Sequence, residues 1–124
     1  MRVVALLACL TLFGCGLEEP DPSGEEPNQS AGGSAERGRV LLSTYGCEAC
    51  HTIPGVPGAD RTVGPPLTGI SRRLFVAGSL PNNPANLTIW IRDPPAIDSL
   101  TAMPALGVTE RDARDIVAYL YAMD

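Results

Sequence analysis

Two cysteines and a histidine lie within one run of five residues, Cys47-Glu48-Ala49-Cys50-His51. A zinc site needs four ligands, but His51 is the only histidine of the chain, and no further cysteine follows Cys50. A dithiol redox motif is typical of a βαβ unit, and no such pattern flanks the run. Covalent haem attachment uses this spacing directly. The run therefore predicts one covalently bound haem c, with thioether bonds from Cys47 and Cys50 and with His51 as an axial iron ligand.

The second axial ligand is expected to be a methionine, because the chain has no second histidine. Met103 lies beside Pro104 in a predicted loop just before a helix, whereas Met123 is the penultimate residue, at a helix end that is liable to fray. A thioether on a proline-anchored loop is held against iron better than one at a free terminus, so Met103 is the predicted ligand. The alternative is that Met103 only fills the core, which leaves the iron five-coordinate.

The composition narrows the class of protein. A chain of 124 residues is one small domain rather than two. Nine arginines, no lysine and fourteen acidic residues give a formal net charge of −5, which argues against a nucleic-acid-binding protein. Thirteen glycines and twelve prolines predict a loop-rich fold with short helices. Because no nucleophile with a base, no paired acids and no substrate-binding motif is evident, we expect no enzyme.

Residues 1–14 have the features of a secretory signal peptide. Arg2 gives a positive start, and residues 3–13 are apolar apart from Thr11, a stretch too short to span a membrane. The end of this stretch, Leu12-Phe13-Gly14-Cys15, resembles the lipobox of bacterial lipoproteins. That resemblance implies that Cys15 is lipidated, which would anchor the protein to a membrane on the periplasmic side of the cell envelope. The alternative is an ordinary cleaved signal with an incidental cysteine.

Residues 15–35 are predicted to be an acidic, flexible tether. Residues 16–35 contain five acidic residues, three prolines and no basic residue, with almost nothing apolar. Such a segment cannot bury enough surface to offset its ordering entropy. A flexible chain of this length has a reach of about 25 Å.

Residues 36–124 are predicted to form an all-α domain with three to five short helices. The first helix is expected from Ala35 to Tyr45, with Ser34 as its N-cap. A middle helix is expected to begin at Asn83-Pro84 and to end before Asp93-Pro94-Pro95. The last helix begins with the capping-box pattern at Thr109. No convincing strand or hairpin pattern is present.

The order of these segments resembles that of class I c-type cytochromes, and most narrowly the cytochrome c domain fused to subunit II of bacterial haem-copper oxidases. The resemblance covers residues 36–124. It implies the class I cytochrome c fold around one haem. Its motifs are Cys47-Glu48-Ala49-Cys50-His51, Gly64-Pro65-Pro66-Leu67-Thr68-Gly69, the segment from Leu87 to Asp93, Met103-Pro104 and Ile116-Val117-Ala118-Tyr119-Leu120.

The same resemblance assigns roles to four more residues. Pro65 matches the proline whose carbonyl accepts a hydrogen bond from the ligand imidazole, although a stiff turn alone would also explain the prolines. Arg73 and Arg92 match positions that meet a haem propionate, with ordinary surface charge as the alternative. The indole N–H of Trp90 needs a partner if it is buried, and a propionate is the usual partner in the family.

The expected function is electron transfer by a monomeric, membrane-anchored monohaem cytochrome in a bacterial respiratory chain. The expected partner is a redox protein of that chain, such as a terminal oxidase or a quinol-oxidising complex. The alternative is a ligand-binding, sensing or peroxidase-like haem protein, which requires an open axial position. A structural lipoprotein with an incidental motif is a more distant alternative.

Overall fold

The computed structural model describes residues 32–123. The predicted signal peptide, Cys15 and all but the last four residues of the predicted tether lie outside this part of the chain. None of the described helices is long and apolar enough to cross a membrane. The four helices are α1 (Ala35–Thr44), α2 (Pro84–Arg92), α3 (Pro94–Ile97) and α4 (Glu110–Ala122), and the two strands are β1 (Phe75–Val76) and β2 (Leu80–Pro81). Two short 3₁₀ turns occupy Cys47–Ala49 and Ile70–Arg72.

The three longer helices begin at the predicted caps. The side chains of Ser34, Asn83 and Thr109 each accept a hydrogen bond from the backbone N–H three residues later. Each bond satisfies one of the N–H groups that a helix leaves unpaired at its start. The predicted helix starts are therefore confirmed, and α1 ends one residue before the predicted Tyr45.

Helices α1 and α4 cross at Gly38. A Cβ atom at Gly38 would lie only 2.0 Å from the backbone oxygen of Asp115 and 3.0 Å from the backbone nitrogen of Ile116. Leu42 of α1 and Ile116 of α4 are almost fully buried. Only a residue without a side chain permits this approach, which explains a glycine inside a helix despite its low helix propensity.

A polar cluster holds the start of α1 against α4. The backbone N–H of Ser34 donates to Asp115 Oδ1 at 2.6 Å, and Arg37 Nη2 lies 2.8 Å from Asp115 Oδ2 and 3.2 Å from Asp112 Oδ1. The hydroxyl of Tyr45 donates to Asp112 Oδ2 at 2.7 Å. Asp115 is 1% exposed, and its charge is tolerated because a guanidinium and a backbone N–H compensate it.

The hydrophobic core is shared by the helices and the loops between them. Its buried members from the helices include Leu42, Leu87, Trp90, Ile91, Ala113, Ile116, Val117 and Leu120. Those between the helices are Ile53, Val56, Ala59 and Val108 from loops, Ile70 from a 3₁₀ turn and Val76 from β1. The loops therefore take part in the core, as expected for a small domain with few helices.

A short hairpin between Ile70–Arg72 and α2 corrects the expectation that no strand is present. Strands β1 and β2 pair antiparallel, with Phe75 opposite Pro81 and Val76 opposite Leu80. Two residues per strand are too few to show an alternating pattern. The turn places Ala77 at φ 49°, a left-handed conformation that alanine seldom adopts, so the turn residues did not indicate a hairpin. The domain remains mostly helical, as predicted.

Candidate functional site

Both cysteines and the histidine of the CEACH run lie on one tight turn after α1. Gly46 leaves the helix in the left-handed region, at φ 74°, and the 3₁₀ turn Cys47–Ala49 follows at once. The backbone N–H groups of Cys50 and His51 both donate to the carbonyl of Cys47, at 3.2 and 3.1 Å. The chain therefore presents two thiols and an imidazole from a single turn.

The imidazole of His51 is oriented by a carbonyl. Its Nδ1 lies 2.7 Å from the backbone oxygen of Pro65. A carbonyl oxygen can only accept, so Nδ1 must carry the proton. That tautomer leaves the lone pair of Nε2 free to bind a metal.

The segment that carries Pro65 is fastened along the turn by backbone hydrogen bonds. The N–H of Gly64 donates to the carbonyl of Cys50 at 2.8 Å, and the N–H of Leu67 donates to that of Thr52 at 2.9 Å. Gly64 also lies against the imidazole, because a Cβ atom there would come within 2.4 Å of His51 Cε1. We call residues 64–69 the proline loop. It contacts the imidazole at both Gly64 and Pro65.

The surroundings of the thiols argue against a dithiol redox site and a zinc site. Cys47 and Cys50 are both half-buried. Burial raises the pKa of the Cys47 thiol to about 11, whereas reactive dithiol motifs lower it. Within residues 32–123 no group of three or more His, Cys, Asp or Glu residues is placed to hold a metal ion. A donor set of two thiols and one imidazole fits covalent haem instead.

The two methionines that compete for the sixth position lie in different settings. Met103 is half-buried in the loop between α3 and α4, and its backbone N–H donates to Thr101 Oγ1 at 3.2 Å. Met123 caps the end of α4, also half-buried. Both side chains pack against the core. Met103 stays the predicted ligand on the strength of its loop, which is fixed by the Thr101 bond and by Pro104.

The three candidates for propionate contacts are differently placed. Arg73 Nη2 donates to the carbonyls of Pro66 and Thr68, the latter at 3.2 Å. Trp90 is buried, with 8% of its surface exposed. Arg92 is exposed and lies 3.4 Å from Glu110 Oε2. The surface ion pair of Arg92 matches the alternative interpretation, and the propionate contacts stay predictions.

Comparison with known proteins identifies the family. Residues 35–124 match the sequence model of the cytochrome c family. The chain belongs to the cytochrome c family. It therefore carries one covalently bound haem c, and it is a haem-based electron carrier. The thiols and the imidazole of residues 47–51 stay the predicted attachment site.

Two relatives of this cytochrome c define its similarities further. Over 100 residues it is 35% identical to the cytochrome c oxidase subunit 2 of Alkalihalophilus pseudofirmus, a match that covers 80% of this chain and 28% of that subunit. The structure of cytochrome c2 from Rhodobacter capsulatus superposes with a TM-score of 0.54 at 21% identity, covering 73% of this chain and 98% of that one. The second likeness is one of fold, and it confirms the predicted class I cytochrome c fold.

The sequence analysis missed Asn82 and Tyr121, which bond to each other, and Asn82 also bonds to the segment directly after the proline loop. Asn82 donates from Nδ2 to the carbonyls of Ile70 and Arg73, and Tyr121 donates its hydroxyl to Asn82 Oδ1 at 2.9 Å. Burial raises the pKa of Tyr121, so the hydroxyl stays protonated and remains a donor. Asn82 precedes Asn83-Pro84, and asparagine and proline together are typical of a turn. Tyr121 lies one residue beyond the apolar stripe of the last helix, so the pattern indicated no role for either residue.

Proposed function

We propose that this cytochrome is anchored to a membrane of the bacterial cell envelope and exchanges single electrons with a membrane-bound respiratory complex, with a terminal oxidase as the favoured partner. The observation that carries the electron-transfer part is the 2.7 Å contact between His51 Nδ1 and the Pro65 carbonyl, on the same turn as both thiols. That contact supports the proposal because it leaves the lone pair of Nε2 free for a metal.

Different residues of the site would hold the haem and shield its iron. His51 and Met103 would both bind the haem iron, which would keep small molecules from it. Gly64 and Pro65 fix the plane of the imidazole, and the carbonyl acceptor raises its basicity. When bound, the haem supplies one-electron exchange between ferrous and ferric iron, and thioether ligation favours the ferrous state.

The choice of an oxidase as partner rests on the similarity to an oxidase subunit. The chain spans only 28% of the length of that relative, so it corresponds to one part of a larger protein. In the relative, that part belongs to the same polypeptide as the rest of the subunit. Here a lipid on Cys15 and the acidic residues that follow would supply the connection to the membrane.

Anchoring would matter because the domain has little long-range electrostatic steering. Residues 36–124 contain eight arginines and nine acidic residues, so the domain is nearly neutral. Steering of encounters needs a strong field of one sign. Confinement within about 25 Å of the membrane raises the effective concentration near integral complexes without any added contact.

Replacement of Met103 tests the ligation. We expect Met103→Ala to open the sixth position of the holoprotein, lower its midpoint potential, bind carbon monoxide in the ferrous state and lose the weak ferric absorption band of methionine ligation. Met123→Ala is the matched control and should change none of these. Loss of the band in Met123→Ala but not in Met103→Ala would contradict the assignment. Carbon monoxide binding by the unmodified protein would favour a sensing function instead.

Replacement of Cys15 tests the anchor. Cys15→Ser, exported through an ordinary signal peptide, should give a soluble cytochrome with an unchanged spectrum but much slower electron delivery in membranes. Both forms are compared at the same low concentration, with oxygen consumption as the measurement. Equal rates would rule out a role for the anchor while leaving the electron-transfer function in place.

A further inference from the structure

Asn82 ties together three segments that are distant in sequence. Its backbone N–H donates to the carbonyl of Leu74 at 2.9 Å, and its Nδ2 donates to Ile70 at 2.6 Å and to Arg73 at 2.9 Å. Its Oδ1 accepts from the hydroxyl of Tyr121 at the end of α4. One half-buried side chain thus fixes the backbone of residues 70–74 relative to the last helix.

Arg73 extends this bonding into the proline loop. Its backbone carbonyl is held by Asn82, and its guanidinium donates to the carbonyls of Pro66 and Thr68. Two of the carbonyls after Pro65 are therefore held by one side chain. Because Pro66 directly follows Pro65, the direction of the Pro65 carbonyl depends on where Arg73 holds its neighbour.

We propose that Asn82 and Tyr121 are positioning residues for the axial histidine. They act through Arg73 and the proline loop, whose Pro65 carbonyl accepts from His51. Hydrogen bonds join the hydroxyl of Tyr121 to Asn82 and Asn82 to the carbonyl of Arg73. The guanidinium of the same arginine donates to Pro66, which the peptide bond joins to Pro65, the acceptor of the His51 bond. The inference rests on the proposed role of His51 as an iron ligand.

The hydrogen bond of the His51 imidazole determines whether the midpoint potential rises or falls. A strong acceptor on Nδ1–H raises the basicity of the ligand and favours ferric iron. If the proline loop loosens, the bond from His51 to Pro65 weakens. The ligand then donates less to the iron, so the midpoint potential should rise, and the Nδ1 proton should exchange with solvent more readily.

Tyr121→Phe is the decisive variant, because it removes one hydroxyl and leaves the apolar ring. In the ferrous holoprotein we expect exchange of the His51 Nδ1 proton, followed by NMR, to be about 2- to 10-fold faster than in the unmodified protein, which is the range that one net hydrogen bond supports. The midpoint potential should rise in the same variant. Asn82→Ala should change both quantities in the same direction and by more, because it frees the backbone of residues 70–74.

Tyr119→Phe is the matched control. Tyr119 lies on the same helix and also donates to a loop carbonyl, but this carbonyl is that of Pro54, at 2.6 Å, rather than one bonded to Asn82. Its proton exchange and potential should match those of the unmodified protein. Equal values in Tyr121→Phe and Tyr119→Phe would overturn the inference even if haem is bound. Absence of covalent haem on a denaturing gel of the unmodified protein would overturn the proposed function itself.

Discussion

Gly38→Ala places one methyl group at the tightest point of the fold. The added Cβ would lie 2.0 Å from the carbonyl oxygen and 2.6 Å from the carbonyl carbon of Asp115. Both atoms belong to the backbone of α4, so no side chain can rotate away. Helices α1 and α4 must separate by about 1.4 Å before the closest contact reaches the 3.4 Å of ordinary packing.

The magnitude follows from two opposing effects. A gap of about 0.5–1 Å already forfeits a quarter to a half of the dispersion attraction across an interface, so Leu42 and Ile116 lose much of their contact. Overpacking of this kind costs up to about 3 kcal/mol, and alanine returns about 1 kcal/mol through its better helix propensity. The net loss in the free energy of unfolding is therefore about 2 kcal/mol. For a domain of this size, that loss lowers the Tm by about 8–16 °C.

Thermal unfolding of the holoprotein, followed by circular dichroism, measures this loss. The matched control is Gly32→Ala, where an added Cβ has no atom within 4 Å. The control should have the same Tm as the unmodified protein. A Gly38→Ala variant that melts at or above the temperature of the unmodified protein would refute the close crossing, because only the gain in helix propensity would then be seen.

Two further predictions concern the imidazole and the polar cluster. Gly64→Ala should reduce covalent haem content and shift the Soret band, since its Cβ would lie 2.4 Å from His51 Cε1; full haem content with an unchanged spectrum would contradict this packing. Tyr45→Phe should lower the free energy of unfolding by about 1 kcal/mol. The bond to Asp112 lowers the pKa of that carboxyl below its ordinary value and raises the pKa of Tyr45. The stabilisation is therefore largest between about pH 5 and 9, and it declines as pH falls through the carboxyl pKa or rises through the tyrosine pKa. Chemical denaturation of both proteins across this range measures it, and a difference independent of pH would argue against the bond.

Local chemistry explains why so much of the helical framework could be predicted. Ser34, Asn83 and Thr109 act within three residues of their own positions, so their capping bonds follow from sequence alone. Likewise, the two cysteines and the histidine lie within five consecutive residues, so they had to be close together in the structure. A glycine inside a helix lowers helix propensity, so Gly38 is a local sign of the close packing that the structure shows there.

Contacts between distant segments were beyond the same reasoning. Tyr121 and Asn82 are 39 residues apart, and nothing near either residue indicates the other. Arg92 lies beside Trp90 in the sequence, yet its guanidinium faces Glu110 at the start of α4. A charged side chain on a helix has many partners within reach, and the choice among them depends on the packing of whole helices rather than on local pattern.

The fastening of Ser34 to Asp115 determines how the domain responds to mechanical force. A pull on the chain ahead of residue 32 reaches Gly33, whose backbone lies close to that of Arg114, and then the Ser34–Asp115 hydrogen bond. Behind that bond lies the crossing of α1 and α4, with its buried side chains. The turn that carries His51 and the loop that carries Met103 both follow this point in the sequence, so a pull from the N-terminal side acts on the crossing before it acts on either.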